Sequence, residues 1–353
     1  MTSARVLRYL LEKKLNTNLI DQYYDKLPAL DEIRISDQTN LKVSCIQREV
    51  ILVKDIKDYL DMANSFVKIA VKEGSDLVVF PEYNFFDLFG LIPGTKKINN
   101  YINKKNTSSD LTDKNGTAEF KGRNYLKNIL AVTAKPISKA IRKIYSQLAN
   151  HYGIYIYTGT FIENRGGVLY NTGSLFDNKG NLIGNQDKIH LTEFEEQIGI
   201  TRANQLNIHN LPWGKLAFPI CMDATYYETF QIAKEYEADF VIVPIANMEE
   251  YSMWRALRGV WPRVQESYVY GLKSSLNGWI FGVHFTGKAG IFAPLSITAK
   301  KDGVIALAPN YEGNYVVTSE LVLSNLYEAR ENDEYFGDKN HCFEKEYIKN
   351  TYL

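Results

Sequence analysis

Residues 41–82 read LKVSCIQREVILVKDIKDYLDMANSFVKIAVKEGSDLVVFPE, and their periodicity changes twice. From Leu41 to Gln47, Val43, Cys45 and Gln47 alternate with Lys42, Ser44 and Ile46, the period of two of a β-strand. From Asp55 to about Lys72, Ile56, Tyr59, Leu60, Ala63 and Phe66 recur at threes and fours, the apolar stripe of an amphipathic helix. The run DLVVFPE, from Asp76 to Glu82, is apolar without alternation, as in a strand buried on both faces. Strand, helix and strand in so short a span predict a layered α/β protein.

The same alternation continues outward. Helical pattern over Ile137–His151 is followed by the strand IYIYTGTF, and Asn178-Lys179-Gly180 between alternating apolar residues predicts a hairpin. KLAFPICMD reads as a strand, TYYETFQIAKEY as a helix, ADFVIVPIA as a strand, Met253–Leu272 as a helix and WIFGVHF as a strand. Glycine-punctuated strands then lead to NYVVTSEL. The stretch from Gly94 to about Lys135 is polar and aperiodic and reads as a long loop, either functional or disordered. Before Leu41, the spacing of Leu7, Leu10 and Leu11 predicts one amphipathic helix ahead of Pro28. Without a Pro/Gly/Ser linker or an internal repeat, the chain divides into an N-terminal helical extension (1–40), one catalytic-sized domain (41–323) and a C-terminal tail (324–353) serving as interface or lid.

Bulk composition excludes several classes. The 353 residues carry 41 basic and 41 acidic side chains, so no global field draws the protein to nucleic acid or an anionic membrane. No apolar run approaches the roughly 20 residues of a membrane helix, and MTSARVLRYLLEKK lacks the unbroken apolar core of a signal peptide. Cys45, Cys221 and Cys342 are odd in number and far apart, which predicts free thiols in a reducing, cytoplasmic setting. Neither they nor the five histidines have metal-ligand spacing.

Taken singly, the reactive residues are unremarkable. Cys221 has the profile of an inert core thiol, Glu82 that of a turn anchor, and Lys188 that of a solvated lysine. Position changes this, because Glu82 and Cys221 both end predicted core strands, where reactive groups converge in layered α/β proteins. A thiol needs a nearby base or cation to become a good nucleophile, a carboxylate supplies the base, and a lysine stabilises an oxyanion. A buried lysine in turn requires a carboxylate partner.

Phe80-Pro81-Glu82, Lys188-Ile189-His190-Leu191 and Ile220-Cys221-Met222-Asp223, in that order, resemble the three signature blocks of the nitrilase, or carbon–nitrogen hydrolase, superfamily. Tyr170-Asn171, ADFVIVP, Pro262-Arg263-Val264-Gln265-Glu266 and GKAGIFAP agree with its flanks, the last with alanine where the family has serine. The likeness runs from about Leu41 to Leu321. It implies a four-layer α-β-β-α sandwich that assembles into homodimers or larger homo-oligomers. It also implies Glu82 as general base, Lys188 as oxyanion-stabilising cation, Cys221 as nucleophile and the Met222 N–H as second oxyanion donor. The block KIHLTEFEE aligns Glu196 with the family's second active-site glutamate, Glu195 standing where the family usually has glycine.

Tyr83, Phe86, Tyr226 and Asn247 are candidate pocket residues, although core packing explains aromatics equally well. Arg263 and Glu266, three apart on a helix, read as a structural ion pair. The resemblance implies cleavage of a non-peptide amide bond in a small amide or carbamoyl substrate, through a thioester and without a cofactor or metal. Nitrilase, carbamoylase and acyltransferase chemistry, or an inactive binding scaffold, are the alternatives. Family nitrilases usually have Trp-Glu after the nucleophile, whereas this chain has Met222-Asp223. It also lacks an arginine directly after Cys221, so carboxylate recognition is not expected there.

Overall fold

The computed structural model describes residues 2–28, 40–107, 123–332, 340, 342–343 and 346–347. Helices α1 (Thr2–Lys14) and α2 (Thr17–Tyr24) precede β1 (Asn40–Glu49), α3 (Ile56–Lys72) and β2 (Leu77–Val79). Helices α4 (Thr95–Thr107) and α5 (Arg123–Tyr152) lead into the meander β3 (Tyr155–Arg165), β4 (Val168–Phe176) and β5 (Leu182–Asp187). The short α6 (Glu193–Gln197) follows, then the hairpin β6 (Ile208–Leu211) and β7 (Gly214–Ala217). Next come α7 (Tyr227–Glu235), β8 (Phe240–Ile245), α8 (Met253–Ala256), α9 (Val260–Ser267) and β9 (Tyr270–Ile280). The chain then forms β10 (Val283–Phe285), β11 (Gly290–Phe292), β12 (Val304–Leu307), β13 (Tyr315–Val322) and α10 (Leu323–Asn332).

The strands run β5-β4-β3-β2-β1-β9-β8-β7-β6. β1 joins the two halves: Asn40–Gln47 pair antiparallel with β13, whereas Gln47–Glu49 pair parallel with β9. The apolar runs LVV and FVIV lie in the parallel strands β2 and β8, every residue of both runs buried, as their lack of alternation requires. Three apolar clusters identify the seams between layers. One holds Phe66, Phe80 and Ile144 beneath α3 and α5; a second sets Leu41, Val43 and Leu77 of one half with Phe218, Phe240 and Ile242 of the other; the third packs Phe230 and Val264 of α7 and α9 on Val241 and Val243. Helix, sheet, sheet, helix is the resulting order, the four-layer sandwich implied by the motifs.

Local chemistry explains where elements differ from expectation. Both predicted strands that carry reactive residues end early: β2 at Val79 and β7 at Ala217. Pro81 and Pro219 follow, and proline has no N–H to give a ladder. Glu82 and Cys221 therefore sit on turns just beyond the sheet. The predicted helix Met253–Leu272 is α8 and α9 separated near Gly259, and Tyr268 in a left-handed conformation (φ 51°) starts the turn into β9. The polar stretch after Gly94 is not all loop. In α4, the Asn99 and Asn103 side chains accept the Phe281 and Gly282 N–H groups of the β9–β10 turn, each at 2.7 Å, so the polarity serves docking. The middle of that stretch, 108–122, lies outside the described residues, as do parts of the tail after 332.

The N-terminal segment forms two helices rather than one. Asn16 separates them and accepts the Asn18 N–H at 2.9 Å as the cap of α2. Leu11, Leu15, Ile20 and Tyr24 are buried against the α3–α5 layer. Ile20→Ala is therefore expected to cost about 2–4 kcal/mol, read as a lowered Tm, with kcat/KM changing by less than about twofold. A loss of turnover at unchanged Tm would instead tie these helices to the reaction. No helix among the described residues is long and apolar enough to cross a membrane.

Candidate active site

Four strand ends converge on one buried group of side chains. Glu82 leaves β2 on a turn laid across β3, where Tyr83 N–H donates to Thr160 Oγ1 (2.9 Å) and Asn84 N–H to the Thr160 carbonyl (3.0 Å). Gly159 permits this contact, since a Cβ there would stand 2.0 Å from the Pro81 carbonyl oxygen. Lys188 follows β5 directly. Its N–H donates to the Asn171 carbonyl on β4 (2.9 Å), which fixes the side chain next to that of Asn171. Cys221 opens a short 3-10 turn after β7 with φ 46°, a sparsely populated conformation for a residue with a side chain.

Lys188 Nζ donates to Glu82 Oε1 at 2.8 Å and to the two Glu195 oxygens at 2.9 and 2.8 Å, with all three side chains buried. Asn171 Nδ2 donates to Glu82 Oε1 (3.0 Å) and Glu195 Oε1 (3.1 Å), and the Ala246 N–H at the end of β8 donates to Glu82 Oε2 (3.0 Å). The Cys221 thiol lies beside the Glu82 carboxylate, close enough for each to shift the pKa of the other, and against the Ala246 N–H. Asp223 locks the cysteine turn to the lysine segment. Its carboxylate accepts the Ile220 N–H (2.8 Å) and the His190 N–H (2.6 Å).

Burial and charge separate the two glutamates. Burial raises the Glu82 pKa, and the opposing pull of Lys188 does not fully cancel it, with Glu195 adding to the rise. Burial also pushes Glu195 upward, but Lys188 together with hydrogen bonds from Lys188, Tyr83 and Thr192 outweighs it, and the net shift is downward. Lys188 is stabilised as the ammonium: burial disfavours its charge, and Glu82, Glu195 and Cys221 more than compensate. Burial and the Glu82 charge hold the Cys221 pKa well above that of an ordinary thiol. Burial thus favours the protonated form of both the thiol and the Glu82 carboxyl, and Lys188 opposes it at each.

The glutamate at Lys188 is Glu195. Glu196, assigned to this place in the sequence, is half exposed and ion-paired with Arg202. The reason is the helix start: Thr192 caps α6 and Glu195, three residues on, turns back so that its Oε2 accepts the Thr192 N–H at 2.9 Å. The next position, Glu196, faces outward. Tyr83 and Phe86 stack on each other, ring centroids 4.7 Å apart, and the Tyr83 hydroxyl donates to Glu195. Tyr83 thus supports Glu195, and Phe86 backs Tyr83. Tyr226 is exposed and stacks on His190 at 4.4 Å, so it does not line the cavity at Cys221. Met222 and Asn247 do line it. Asn171 and the Ala246 N–H are the contributors that sequence reading did not single out. Arg263 and Glu266 form the ion pair expected of them (2.7 Å).

The cavity beside Cys221 has a volume of about 180 Å³. A larger groove of about 710 Å³ along Ile51, Phe66 and Val316 shares no lining residue with it and contains none of the reactive groups. Among the described residues, no cluster of three His, Cys, Asp or Glu side chains is disposed to hold a metal ion.

Comparison with known proteins agrees with this architecture. The probable hydrolase YhcX of Bacillus subtilis is 24% identical over 316 residues, which is 87% of this chain and 55% of YhcX; the chain thus spans about half the length of that relative. A double mutant of the amidase from Nesterenkonia sp. AN1 in complex with acrylamide superposes with a TM-score of 0.64 at 14% identity, covering 91% of this chain and all of the other. A glutamate-to-glutamine mutant of the same amidase, with the acetamide moiety of fluoroacetamide added covalently at its active-site cysteine, matches with a TM-score of 0.63 at 14% identity, over 89% and 99% of the two chains. The sequence model of the carbon-nitrogen hydrolase family matches residues 42–330, and with most of its length matched the chain belongs to that family.

Proposed function

We propose that the protein hydrolyses the amide bond of a small molecule through a thioester on Cys221. The observation that carries this reading is the buried Lys188 ammonium joining Glu82 to Glu195, with the Cys221 thiol beside Glu82. In the first half, Glu82 accepts the thiol proton as Sγ attacks the carbonyl carbon. The developing oxyanion faces Lys188 and the N–H of Met222 at the start of the 3-10 turn, where helix N–H groups lack internal partners. Glu82 then passes its proton to the departing nitrogen, and the C–N bond breaks to leave the thioester. In the second half, Glu82 removes a proton from water, which attacks the same carbon and releases the carboxylic acid and the thiol. One residue with a raised pKa can serve as base and acid in turn, a contribution of roughly 10²–10⁴ in rate. Glu195, its pKa held down, stays ionised and keeps Lys188 charged and in place.

An amide fits this geometry better than a nitrile. Its planar carbonyl offers an oxygen to two donors at once, each worth roughly 3–4 kcal/mol when well placed. The acetamide adduct on a mutant of the Nesterenkonia amidase is an alkylation that leaves the amide intact; by analogy of fold it supports a nucleophilic cysteine, and the acrylamide complex of a second mutant supports a site that accepts a small amide. The homodimer or larger assembly implied by the family resemblance belongs to the same proposal and is read from mass in solution. The test of the reaction is ammonia release from amides, nitriles and carbamoyl compounds with matched side groups, compared by kcat/KM. Amides are expected to lead. Nitriles consistently faster than their amide partners would replace the amidase reading with a nitrilase one.

A further inference from the structure

We infer that the substrate is an anion: a short amide whose far end carries a carboxylate that seats on Lys273, in the same cavity as Cys221. The inference rests on the amidase reading above and adds the substrate class. Two lysines are buried near the nucleophile, and they differ in one respect. Lys188 has two carboxylates. Lys273, 8% exposed, makes neither an ion pair nor a hydrogen bond among the described residues, and its ammonium lies 5.3 Å from the centre of the Phe292 ring. A buried cation without a counter-charge is costly, and chains retain such groups where a ligand supplies the missing charge. Burial, reinforced by Lys288 and only partly offset by Cys45, brings the Lys273 pKa down to about 8, as expected of a cation lacking a partner.

The rest of the cavity has the same sign. Lys288, Arg255 and Arg258 line it with Lys273, against one carboxylate, Glu249. Glu249 is already engaged with Arg258 at 2.7 Å and Arg255 at 3.7 Å. Side-chain exposures of 56% and 60% for the two arginines put them at the mouth, where they draw anions inward. The interior, about 180 Å³, corresponds to roughly six water volumes at ~30 Å³ each. That space admits a short acyl chain and a compact anion, for which a carboxylate is the fitting choice. None of these cations directly follows Cys221, so the missing arginine there leaves carboxylate recognition intact: it comes from β9 and the segment around α8.

The test uses the full chain and the rate at which iodoacetamide alkylates Cys221, with exposed Cys342 as the reference thiol. Protection by succinamate is compared with protection by its neutral isostere 4-methylpentanamide and by the cationic 4-aminobutanamide. Succinamate is expected to protect Cys221 at a concentration at least about tenfold lower than either, the scale of one charge-assisted hydrogen bond. Lys273→Met should close that gap. Equal protection by the neutral isostere in the wild type, or an unchanged gap in Lys273→Met, overturns the proposal. If the methionine variant does not fold, the wild-type comparison decides alone. Ammonia release separates the two readings. Turnover of 4-methylpentanamide as fast as succinamate refutes the anionic substrate and leaves the cysteine amidase standing. Selective protection by succinamate with no ammonia from any amide upholds Lys273 and refutes hydrolysis.

Discussion

Cys221→Ala is expected to fold as the wild type does and to lose turnover by on the order of 10⁴-fold or more. The size of the effect follows from covalent catalysis: without Sγ no thioester forms, and Glu82 and Lys188 have no adduct to act on. Stability should change little, within about 1 kcal/mol, because alanine at φ 46° is as strained as cysteine and no packed apolar volume is removed. Mass spectrometry of the wild type, quenched with substrate, should place an acyl adduct on the peptide containing Cys221. Burial raises the thiol pKa, and in the proposed mechanism Glu82 accepts the thiol proton, so Glu82→Gln should lose the acyl adduct too, although its nucleophile is intact. An adduct on Cys45 or Cys342, or substantial activity in the alanine variant, would contradict the cysteine mechanism.

What could be read from the sequence, and what could not, follows the range of the interactions. The layered fold was legible because VVF and FVIV have no alternation and must be buried on both faces, and the helix between Asp55 and Lys72 shows its own stripe. Glu82, Lys188 and Cys221 were legible as motif blocks near the ends of such runs. Asn171 was not, beyond its place as a flank. Its meeting with both glutamates depends on the β4–β5 register, which pairs Thr172 with Asp187 and so brings residue 171 beside residue 188. The Ala246 N–H has no side-chain signature at all, since any residue but proline offers that donor. Lys273 looked like one more strand residue, and only the two-sided packing of β9 reveals that its charge is buried without an ion-pair partner among the described residues. For Glu195 the signal was present: Thr192-Glu193-Phe194-Glu195 is a capping-box sequence, which turns the fourth residue back toward the helix start. Alignment to the family block favoured the neighbouring position, and local helix physics decided otherwise.

That neighbouring pair supplies a discriminating experiment. Glu195→Gln should lower kcat/KM by at least about a hundredfold, whereas Glu196→Gln should remain within about twofold of wild type. The Glu195 carboxylate grips Lys188 with both oxygens, so an amide of the same shape keeps the volume and loses half the charge that holds a buried ammonium. Glu196 is half exposed and its pair with Arg202 is of the kind worth about 0–1 kcal/mol. Stability gives a second, independent readout with a definite sign. The folded-state pKa of Glu195 lies below its unfolded value, so its contribution is present above the ordinary carboxylate range and is lost as pH falls through the folded value. Removing the charge should therefore destabilise the protein by about 3–5 kcal/mol at neutral pH, the scale of breaking a buried pair. The difference from wild type should narrow in acid, once the wild-type carboxylate is itself protonated. Thermal unfolding of wild type and both variants at neutral and acidic pH measures this. A pH-independent Tm loss in Glu195→Gln would point to packing in place of charge, and a large kcat/KM loss in Glu196→Gln would return the second glutamate to the position the motif alignment gave it.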